Sequence, residues 1–250
     1  SFSDLPENAW RICEYVFTEM FNNALDHSEG QKIFVNMKRD ADLIDISVGD
    51  DGVGIFKKIK DTYNFEDERE SALQLSKGKL TTEPENHSGE GIFFTSRAVD
   101  QFFLYSFGLC YAKDTLEDDW FVETKPNIVE GTVVNMIINS NTPRVMKEVF
   151  DKYSNSETHK FDKTHIVVAL SRLGEERFIS RSQAKRILWG VEKFKHVILD
   201  FKGVTTVGQG FVDEVFRVYK SRHPEINIKY ENANEDVTFM IERGLPEINS

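Results

Sequence analysis

The sequence is poor in cysteine and contains no long apolar run. Its two cysteines, Cys13 and Cys110, lie in apolar surroundings without metal-motif spacing, which argues against a disulfide framework and indicates buried free thiols in a reducing compartment. The most apolar segment, residues 102–111, is well short of the roughly 20 residues that a membrane helix needs. We therefore predict a cytoplasmic protein with no membrane span. No signal peptide is visible, and the first residue is Ser rather than Met, which suggests a processed or truncated chain.

Basic residues are outnumbered by acidic ones. The chain has 31 Lys and Arg against 42 Asp and Glu, so its formal net charge is −11. Because nucleic-acid affinity comes chiefly from clustered Lys and Arg, this balance argues against a DNA or RNA ligand. The same charge balance is compatible with a nucleotide ligand, because backbone N–H groups and one metal ion can hold phosphates on an acidic protein.

The first half of the chain is predicted to combine helices with several strands. Residues 5–27 have the periodicity of an amphipathic helix, with an apolar stripe made of Trp10, Cys13, Phe17, Met20, Phe21 and Ala24. Strands are predicted at 32–38 and 43–49, as a hairpin, and at 102–111, 120–124 and 131–139. Residues 57–88 are interpreted as a polar loop or lid with a short helical stretch near 68–75, and another helix is predicted to begin at Gly91.

The second half follows a different pattern. After a connecting helix at 145–153 and a polar stretch at 154–163, strands are predicted at 165–170, 197–201 and 226–230. Helices are predicted at 182–194, at 211–221 and from about 234, and such alternation indicates a sheet covered by helices. We predict domains at 1–142 and 164–250, joined by a linker helix and polar connection at 143–163.

Glu19 and Asn23 are the first candidate site residues. They are four residues apart on one face of the predicted helix, so both side chains can serve the same ligand. A carboxylate can take a proton from a water that attacks a phosphoryl group, and an amide oxygen is a hard ligand suited to Mg²⁺. The alternative is a solvated helix face, and the two residues by themselves leave that alternative open.

Asp50 is the second candidate. It has the same strand parity as Ile44, Ile46 and Val48, which predicts that its carboxylate points to the buried face. A buried carboxylate needs a hydrogen-bond donor, and the exocyclic amine of adenine would supply one. The glycines at 52 and 54 let backbone pass close to a flat ring. The alternative is an Asp-Gly turn that ends a strand.

Two shorter signals follow. Gly89, Glu90, Gly91 and Ile92 lead from the polar segment into a helix, where backbone N–H groups can bind an anion. Thr132 shares parity with the apolar residues of its strand, so its hydroxyl is predicted to face the interior. Each signal is weak by itself, because short glycine motifs are common and a buried threonine can be satisfied by backbone.

In this order the four segments resemble the GHKL ATPase family over roughly residues 1–142. TEMFNNALDH is similar to its N box, DDGVGI to its G1 box, HSGEGIFF to its G2 box and EGTVVNM to its G3 box. The resemblance implies an α+β protein that begins with a Bergerat-type α/β sandwich, a mixed sheet with helices on one face. It also implies ATP and Mg²⁺ as ligands.

The resemblance also implies roles for the residues that match its motifs. Glu19 would be the base that activates water, and Asn23 would be the Mg²⁺ ligand. Asp50 would accept a hydrogen bond from adenine, and Gly52 and Gly54 would shape the base pocket.

The remaining motif residues would hold the other parts of the nucleotide. Gly89 and Gly91 would form the phosphate cradle, and Glu90 and Ile92 belong to the same part of the site. Thr132 would support the adenine end.

The motifs leave open the role of two lysines and the branch of the family. Lys77 or Lys79 would reach a phosphate from the lid, although lid lysines are usually solvated. Glu19 argues against the histidine-kinase branch, which tends to have Asn there, and NNALDH is similar to bacterial anti-sigma serine kinases. His27 and His87 adjoin motifs but are interpreted as structural or exposed residues.

Residues 164–250 resemble a smaller STAS-like α/β domain through VILDFKGVTTVGQGFVDEVF at 197–216. Gln209 and Gly210 stand where the phosphoacceptor serine of that fold usually lies, so regulated phosphorylation at that point is not expected. Thr205 and Thr206, the nearest hydroxyls, are interpreted as turn residues. The loop is expected to dock on a protein partner or on the lid.

These features favour an ATP- and Mg²⁺-dependent GHKL ATPase that acts as a nucleotide-controlled switch with a STAS-like interaction domain. Two alternatives stay open: a protein serine kinase of the anti-sigma type, and a regulatory scaffold in which ATP is a structural ligand. The expected partners are ATP or ADP and a protein bound through the STAS-like domain or the lid. The sequence leaves the pathway and the oligomeric state open, including a homodimer.

Overall fold

The computed structural model describes residues 2, 4–83, 85, 87–114, 120–123, 131–172 and 179–245. The chain divides into two compact units, Ser1–Lys152 and Tyr153–Ser250, here called the first and the second unit. The division lies within the segment 143–163 that was predicted to be a linker. Both units combine helices with a sheet, which confirms the predicted α+β class.

The first unit begins with a long helix and contains a six-stranded sheet. Its elements are α1 (Glu7–His27), β1 (Ile33–Arg39), β2 (Leu43–Asp50), α2 (Ile55–Tyr63), α3 (Glu68–Lys77), α4 (Gly91–Ala98), β3 (Gln101–Ser106), β4 (Leu109–Asp114), β5 (Trp120–Glu123), β6 (Thr132–Asn139) and α5 (Met146–Tyr153), whose last residue begins the second unit. Thr124, the end of one predicted strand, lies outside the described residues.

The sheet has the strand order β1-β2-β6-β3-β4-β5, and every neighbouring pair is antiparallel. The expectation of a mixed sheet is therefore corrected. β1–β2 and β3–β4 are joined by short turns, which only antiparallel strands allow, and β6 runs opposite to both of its neighbours. This arrangement places the start of β6 beside the end of β2.

One face of the sheet is buried against α1, which contacts β2 and β6. The buried apolar residues of β2, β3 and β6 are Ile44, Ile46, Val48, Phe102, Leu104, Val134, Met136 and Ile138. The buried helix residues are Ala9, Ile12, Cys13, Val16, Met20 and Ala24. The predicted stripe was wrong at Trp10, whose exposed fraction is 48%. The buried face is centred on smaller aliphatic residues, which allow the helix to pack closely on the sheet.

Two predicted segments differ from the structure. The helical stretch predicted near 68–75 is confirmed as α3, which Asp67 caps by accepting a hydrogen bond from the Arg69 N–H at 2.7 Å. The polar segment 57–88 also contains most of α2, which was interpreted as part of a loop. The predicted strand at 102–111 is a hairpin of β3 and β4. Phe107 and Gly108 both have positive φ angles, 44° and 83°, as a tight hairpin turn requires.

The second unit has a three-stranded parallel sheet in the order β7-β8-β9. Its strands and α-helices are β7 (Lys163–Val167), α6 (Arg181–Leu188), β8 (His196–Asp200), α7 (Gln209–Val212), α8 (Lys220–Arg222), β9 (Asn227–Glu231) and α9 (Glu235–Gly244). Short 3-10 helices follow β7 at Val168–Ser171 and α6 at Val191–Lys193, where the sequence had predicted the end of a strand and of a helix. A π-helical segment, Asp213–Tyr219, joins α7 to α8. The predicted alternation of strands and helices is confirmed. None of the helices in the described part of the chain has the length and apolar character needed to cross a bilayer.

Candidate functional site

A cavity of about 140 Å³ lies in the first unit, among α1, α2, the end of β2, the start of β6 and the segment that leads into α4. One water needs about 10–15 Å³, so the cavity can hold a ligand much larger than a single water. Nine of the twelve predicted site residues line it: Glu19, Asn23, Asp50, Gly54, Gly89, Glu90, Gly91, Ile92 and Thr132. The structure therefore brings four distant segments of the chain to one place.

Glu19 and Asn23 lie on consecutive turns of α1, and both line the cavity. Both are half-buried, and neither side chain makes a hydrogen bond to another residue in the described ranges. Burial raises the pKa of the Glu19 carboxyl, the negative charge of Glu90 raises it further, and His87 opposes the rise. Glu19 is thus a carboxylate with increased basicity beside a cavity.

Asp50 ends β2 and is 5% exposed. Its Oδ1 accepts hydrogen bonds from the backbone N–H of Gly52 at 2.9 Å and of Thr132 at 3.2 Å. Burial raises the pKa of Asp50, and these two hydrogen bonds act in the opposite direction. Oδ2 accepts no hydrogen bond within the described part of the chain, so it is available to a donor on a ligand.

The two glycines after Asp50 have different positions. A Cβ on Gly52 would lie 1.9 Å from the carbonyl oxygen of Ser28, so this glycine packs the turn against the end of α1 and does not line the cavity. Gly54 lines the cavity with φ +79°, and a Cβ there would lie 2.4 Å from the ring of Phe107. Both positions require glycine for backbone reasons.

Gly89 and Gly91 bring backbone close to two other parts of the site. Gly89 has φ +71°, and a Cβ there would lie 2.5 Å from the carbonyl oxygen of Leu80. Gly91 is the first residue of α4, and a Cβ there would lie 2.2 Å from Oε2 of Glu19. No side chain caps α4, so the N–H groups of its first turn keep their capacity to bind an anion.

Thr132, the first residue of β6, makes hydrogen bonds to the start of α2 and to Asp50. Its Oγ1 accepts a hydrogen bond from the N–H of Ile55 at 3.0 Å, while its own N–H donates to Asp50. The preceding Gly131 has φ +93°, and a Cβ there would lie 2.1 Å from the carbonyl oxygen of Asp50. These contacts fix the Asp50 carboxylate relative to the start of α2.

Lys77 and Lys79, the predicted lid lysines, do not line the cavity. Lys77 is the last residue of α3 and is 2% exposed, and its Nζ donates a hydrogen bond to Oε1 of Gln74 at 2.5 Å. Burial raises the pKa of Glu90, whereas the charge of Lys79 lowers it, so Lys79 acts on a cavity residue at a distance.

Lys58 lines the cavity and was missed in the sequence. Its Nζ lies 2.9 Å from Oε1 of Glu29 and donates to the carbonyl oxygen of His27 at 2.9 Å. The sequence contained a pattern that could have identified Lys58, because Ile55, Lys58 and Ile59 have the spacing of one helix face. All three line the cavity. The interpretation of residues 57–88 as a loop concealed it.

His27 and His87 also line the cavity, and their ring centroids are 4.4 Å apart. They are half-buried rather than exposed. Their neighbours are acidic: His27 Nδ1 lies 3.2 Å from Oε1 of Glu83, and His87 Nε2 lies 3.8 Å from Oδ2 of Asp26. The interpretation of these histidines as structural residues did not predict that they meet.

The loop of the second unit that carries the serine position of STAS-like folds ends at α7. Gly208 precedes that helix, and Gln209 and Gly210 are its first two residues. Thr205 is exposed, and its carbonyl oxygen accepts a hydrogen bond from Asn234 Nδ2 at 3.0 Å. The loop is thereby linked to the start of α9.

Comparison with known families assigns part of the second unit. Residues 183–238 match the family model described as a STAS-like domain of unknown function (DUF4325). The chain thus contains a STAS-like domain. No curated protein matches the chain. The match covers less than half of the chain and lies outside the cavity, so the GHKL resemblance of the first unit stays a prediction.

Proposed function

We propose that the first unit binds ATP with Mg²⁺ and hydrolyses it slowly, as a GHKL-type ATPase whose nucleotide state controls contacts with a protein partner. One observation carries the proposal: side chains or backbone from four segments, Glu19 and Asn23, Asp50 and Gly54, residues 89–92, and Thr132, line a single cavity. These are the segments that resemble the N, G1, G2 and G3 boxes, and they are far apart in the sequence. The STAS-like domain serves as an interaction domain in this proposal.

The Asp50 end of the cavity fits a purine that carries an exocyclic amine. Oδ1 of Asp50 is engaged by backbone N–H groups, whereas Oδ2 has no partner in the described ranges. A buried carboxylate oxygen is stabilised by a donor, and the amine of adenine is one. Thr132 keeps the carboxylate in place through its own N–H.

The Glu19 end of the cavity fits a phosphate group accompanied by a cation. The uncapped start of α4 and the close backbone at Gly89 and Gly91 favour a bound phosphate. Glu19 and Glu90 would repel that phosphate, so a cation is needed between them. The amide oxygen of Asn23 is a suitable Mg²⁺ ligand, and bound Mg²⁺ would neutralise charge on the phosphates.

Glu19 is the base in this proposal. Its carboxylate takes a proton from the water that attacks the terminal phosphoryl group, the bond from that phosphorus to the ADP oxygen breaks, and ADP and inorganic phosphate leave. Burial and the charge of Glu90 raise the pKa of Glu19, which makes its carboxylate a stronger base than an exposed one.

A protein serine kinase of the anti-sigma type is the second candidate. The STAS-like domain favours it, because the N-box segment resembles kinases whose usual substrates have that fold. The chain has Gln209 and Gly210 at the usual serine position, so the acceptor would be an external serine. Transfer of labelled phosphate to a co-purified protein would support this candidate, and release of inorganic phosphate alone would support hydrolysis.

The test combines binding and turnover in the same samples of the full chain. We expect the wild type to bind a non-hydrolysable ATP analogue in the presence of Mg²⁺ and to release phosphate from ATP. Glu19→Ala should keep analogue binding and lose phosphate release, whereas Asp50→Asn should weaken binding itself. Glu14→Ala, an exposed acid on the same helix, is the matched control and should behave as the wild type. Equal phosphate release by the wild type and Glu19→Ala would overturn the proposal, as would absence of analogue binding.

A further inference from the structure

Three metal-ligating side chains meet beside the cavity, where α1 ends. His27, Glu83 and His87 each offer a ligand atom, and these atoms all lie within 4.8 Å of one another. All three residues are half-buried. None of them is assigned as a catalytic or nucleotide-binding residue in the proposed function, although His87 acts on the pKa of Glu19, so the cluster calls for a separate explanation.

The local structure brings the three side chains together. His27 is the last residue of α1. The N–H of His87 donates a hydrogen bond to the carbonyl oxygen of Glu83 at 3.0 Å, which holds these two residues close together. The Glu83 carboxylate and the His87 imidazole both lie beside the His27 ring. The Thr81 hydroxyl accepts a hydrogen bond from the Glu83 N–H at 3.1 Å, which helps to fix the backbone at Glu83.

Two imidazoles and one carboxylate form a donor set that suits Zn²⁺ and similar divalent transition metals. Bonds of about 2.0–2.1 Å in a tetrahedral site place ligand atoms about 3.4 Å apart. His27 Nδ1 and Glu83 Oε1 are 3.2 Å apart, and the His27 and His87 ring centroids are 4.4 Å apart. Small side-chain rotations would therefore complete the coordination, and a fourth position would stay open to water.

The electrostatic surroundings favour a cation. Oδ2 of Asp26 lies 3.8 Å from His87 Nε2, and Glu19 and Glu90 line the same cavity. A hard ion such as Mg²⁺ prefers oxygen ligands and keeps several waters, so two imidazoles select against it.

We propose that His27, Glu83 and His87 form a binding site for a divalent transition-metal ion of the Zn²⁺ type. The site is distinct from the Mg²⁺–nucleotide site of the proposed function, and it does not depend on nucleotide binding. A bound ion would tie the end of α1 to the segment that precedes Gly89. Metal occupancy would then hold the wall of the cavity in one arrangement.

The test is a titration of the metal-free full chain, without nucleotide, with Zn²⁺ by calorimetry and with Co²⁺ by visible absorption, which reports coordination geometry. We expect one site in the wild type. His27→Ala, His87→Ala and Glu83→Gln should each weaken binding at least about tenfold, since even outer-shell changes at metal sites have that effect. A tenfold excess of Mg²⁺ should not displace the ion.

The second unit provides a matched control, because the described residues contain another group of this kind, made of His165, Asp200 and Glu231. His165→Ala should bind Zn²⁺ as the wild type does. Thermal unfolding of each variant checks that the fold is kept, and Glu83→Gln retains a side chain of the same shape. The proposal is overturned if the wild type binds no Zn²⁺, if the three variants bind it as the wild type does, or if only His165→Ala loses it.

Discussion

Gly91 lies directly against the carboxylate of Glu19. A Cβ at position 91 would be 2.2 Å from Oε2 of Glu19, closer than real Cβ contacts come. The contact joins the first residue of α4 to the middle of α1. Because the atom in the way ends a flexible side chain, the protein can relieve the clash by rotating Glu19 rather than by moving backbone.

Gly91→Ala should therefore lower the rate of ATP hydrolysis while leaving the free energy of unfolding almost unchanged. The added methyl group displaces the Glu19 carboxylate, and we expect phosphate release to fall about tenfold or more, since small misplacements of reacting groups are costly. The free energy of unfolding should change by less than about 1 kcal/mol, because alanine is a good helix residue. Phosphate release and chemical denaturation on the same preparation measure the two effects.

Gly89→Ala is the comparison for that variant. Position 89 has φ +71°, and the nearest atoms belong to the backbone of Leu80, at 2.5 Å. The strain and the clash should together lower the free energy of unfolding by about 2 kcal/mol or more. A Gly91→Ala protein that is as destabilised as Gly89→Ala, or fully active, would contradict the interpretation of the Gly91 contact.

The acid limb of the pH–rate profile should depend on Glu90. Hydrolysis requires ionised Glu19, so the rate should fall as the pH decreases through the raised pKa of Glu19. The charge of Glu90 contributes to that rise, so Glu90→Gln should lower the pKa of Glu19 and move the acid limb to lower pH. Phosphate release across a pH series measures the shift. An acid limb that stays in place, or moves to higher pH, would show that Glu90 does not act on the group that limits the rate.

Thr132→Val should destabilise the first unit through a lost hydrogen bond. Oγ1 of Thr132 accepts from the N–H of Ile55 at 3.0 Å, and valine has the same shape without an acceptor. Leaving that N–H unpaired should lower the free energy of unfolding by about 1–2 kcal/mol. Thr132→Ser keeps the hydroxyl and should retain more of the stability in denaturant titrations. The reverse order of the two variants would contradict the role assigned to Oγ1.

Asn234 should stabilise the second unit in two ways. Its Oδ1 caps α9 by accepting from the Val237 N–H at 2.8 Å, and its Nδ2 donates to the carbonyl oxygens of Val204 and Thr205. Asn234→Ala loses the cap and the donors, so we expect a loss of about 1–2 kcal/mol of unfolding free energy. Asn234→Ser keeps a side-chain oxygen suited to the cap and loses the donors without placing a second oxygen against those carbonyls, so its loss in thermal or chemical unfolding should be smaller. Equal losses would mean that the cap contributes nothing.

Local patterns in the sequence predicted most of the helices and strands. The α1 helix, the β1–β2 hairpin and the strand–helix alternation of the second unit follow from periodicity, which depends only on neighbouring residues. The helical stretch near 68–75 corresponds to α3, but α2 was missed, because its polar composition resembles that of a loop. Periodicity also placed Trp10 in the buried stripe, since the exposure of a helix face is decided by what packs on it.

The sequence by itself determined that Glu19 and Asn23 share one helix face and that Asp50 points to the buried side of its strand, because both follow from fixed side-chain periods. Only the tertiary structure decided that these residues meet Gly91 and Thr132 around one cavity, that Lys58 joins them, and that Lys77 does not. It also decided that His27 meets Glu83 and His87. Such meetings depend on strand order and helix packing, which are set by long-range burial of apolar surface and cannot be found in any short stretch of sequence.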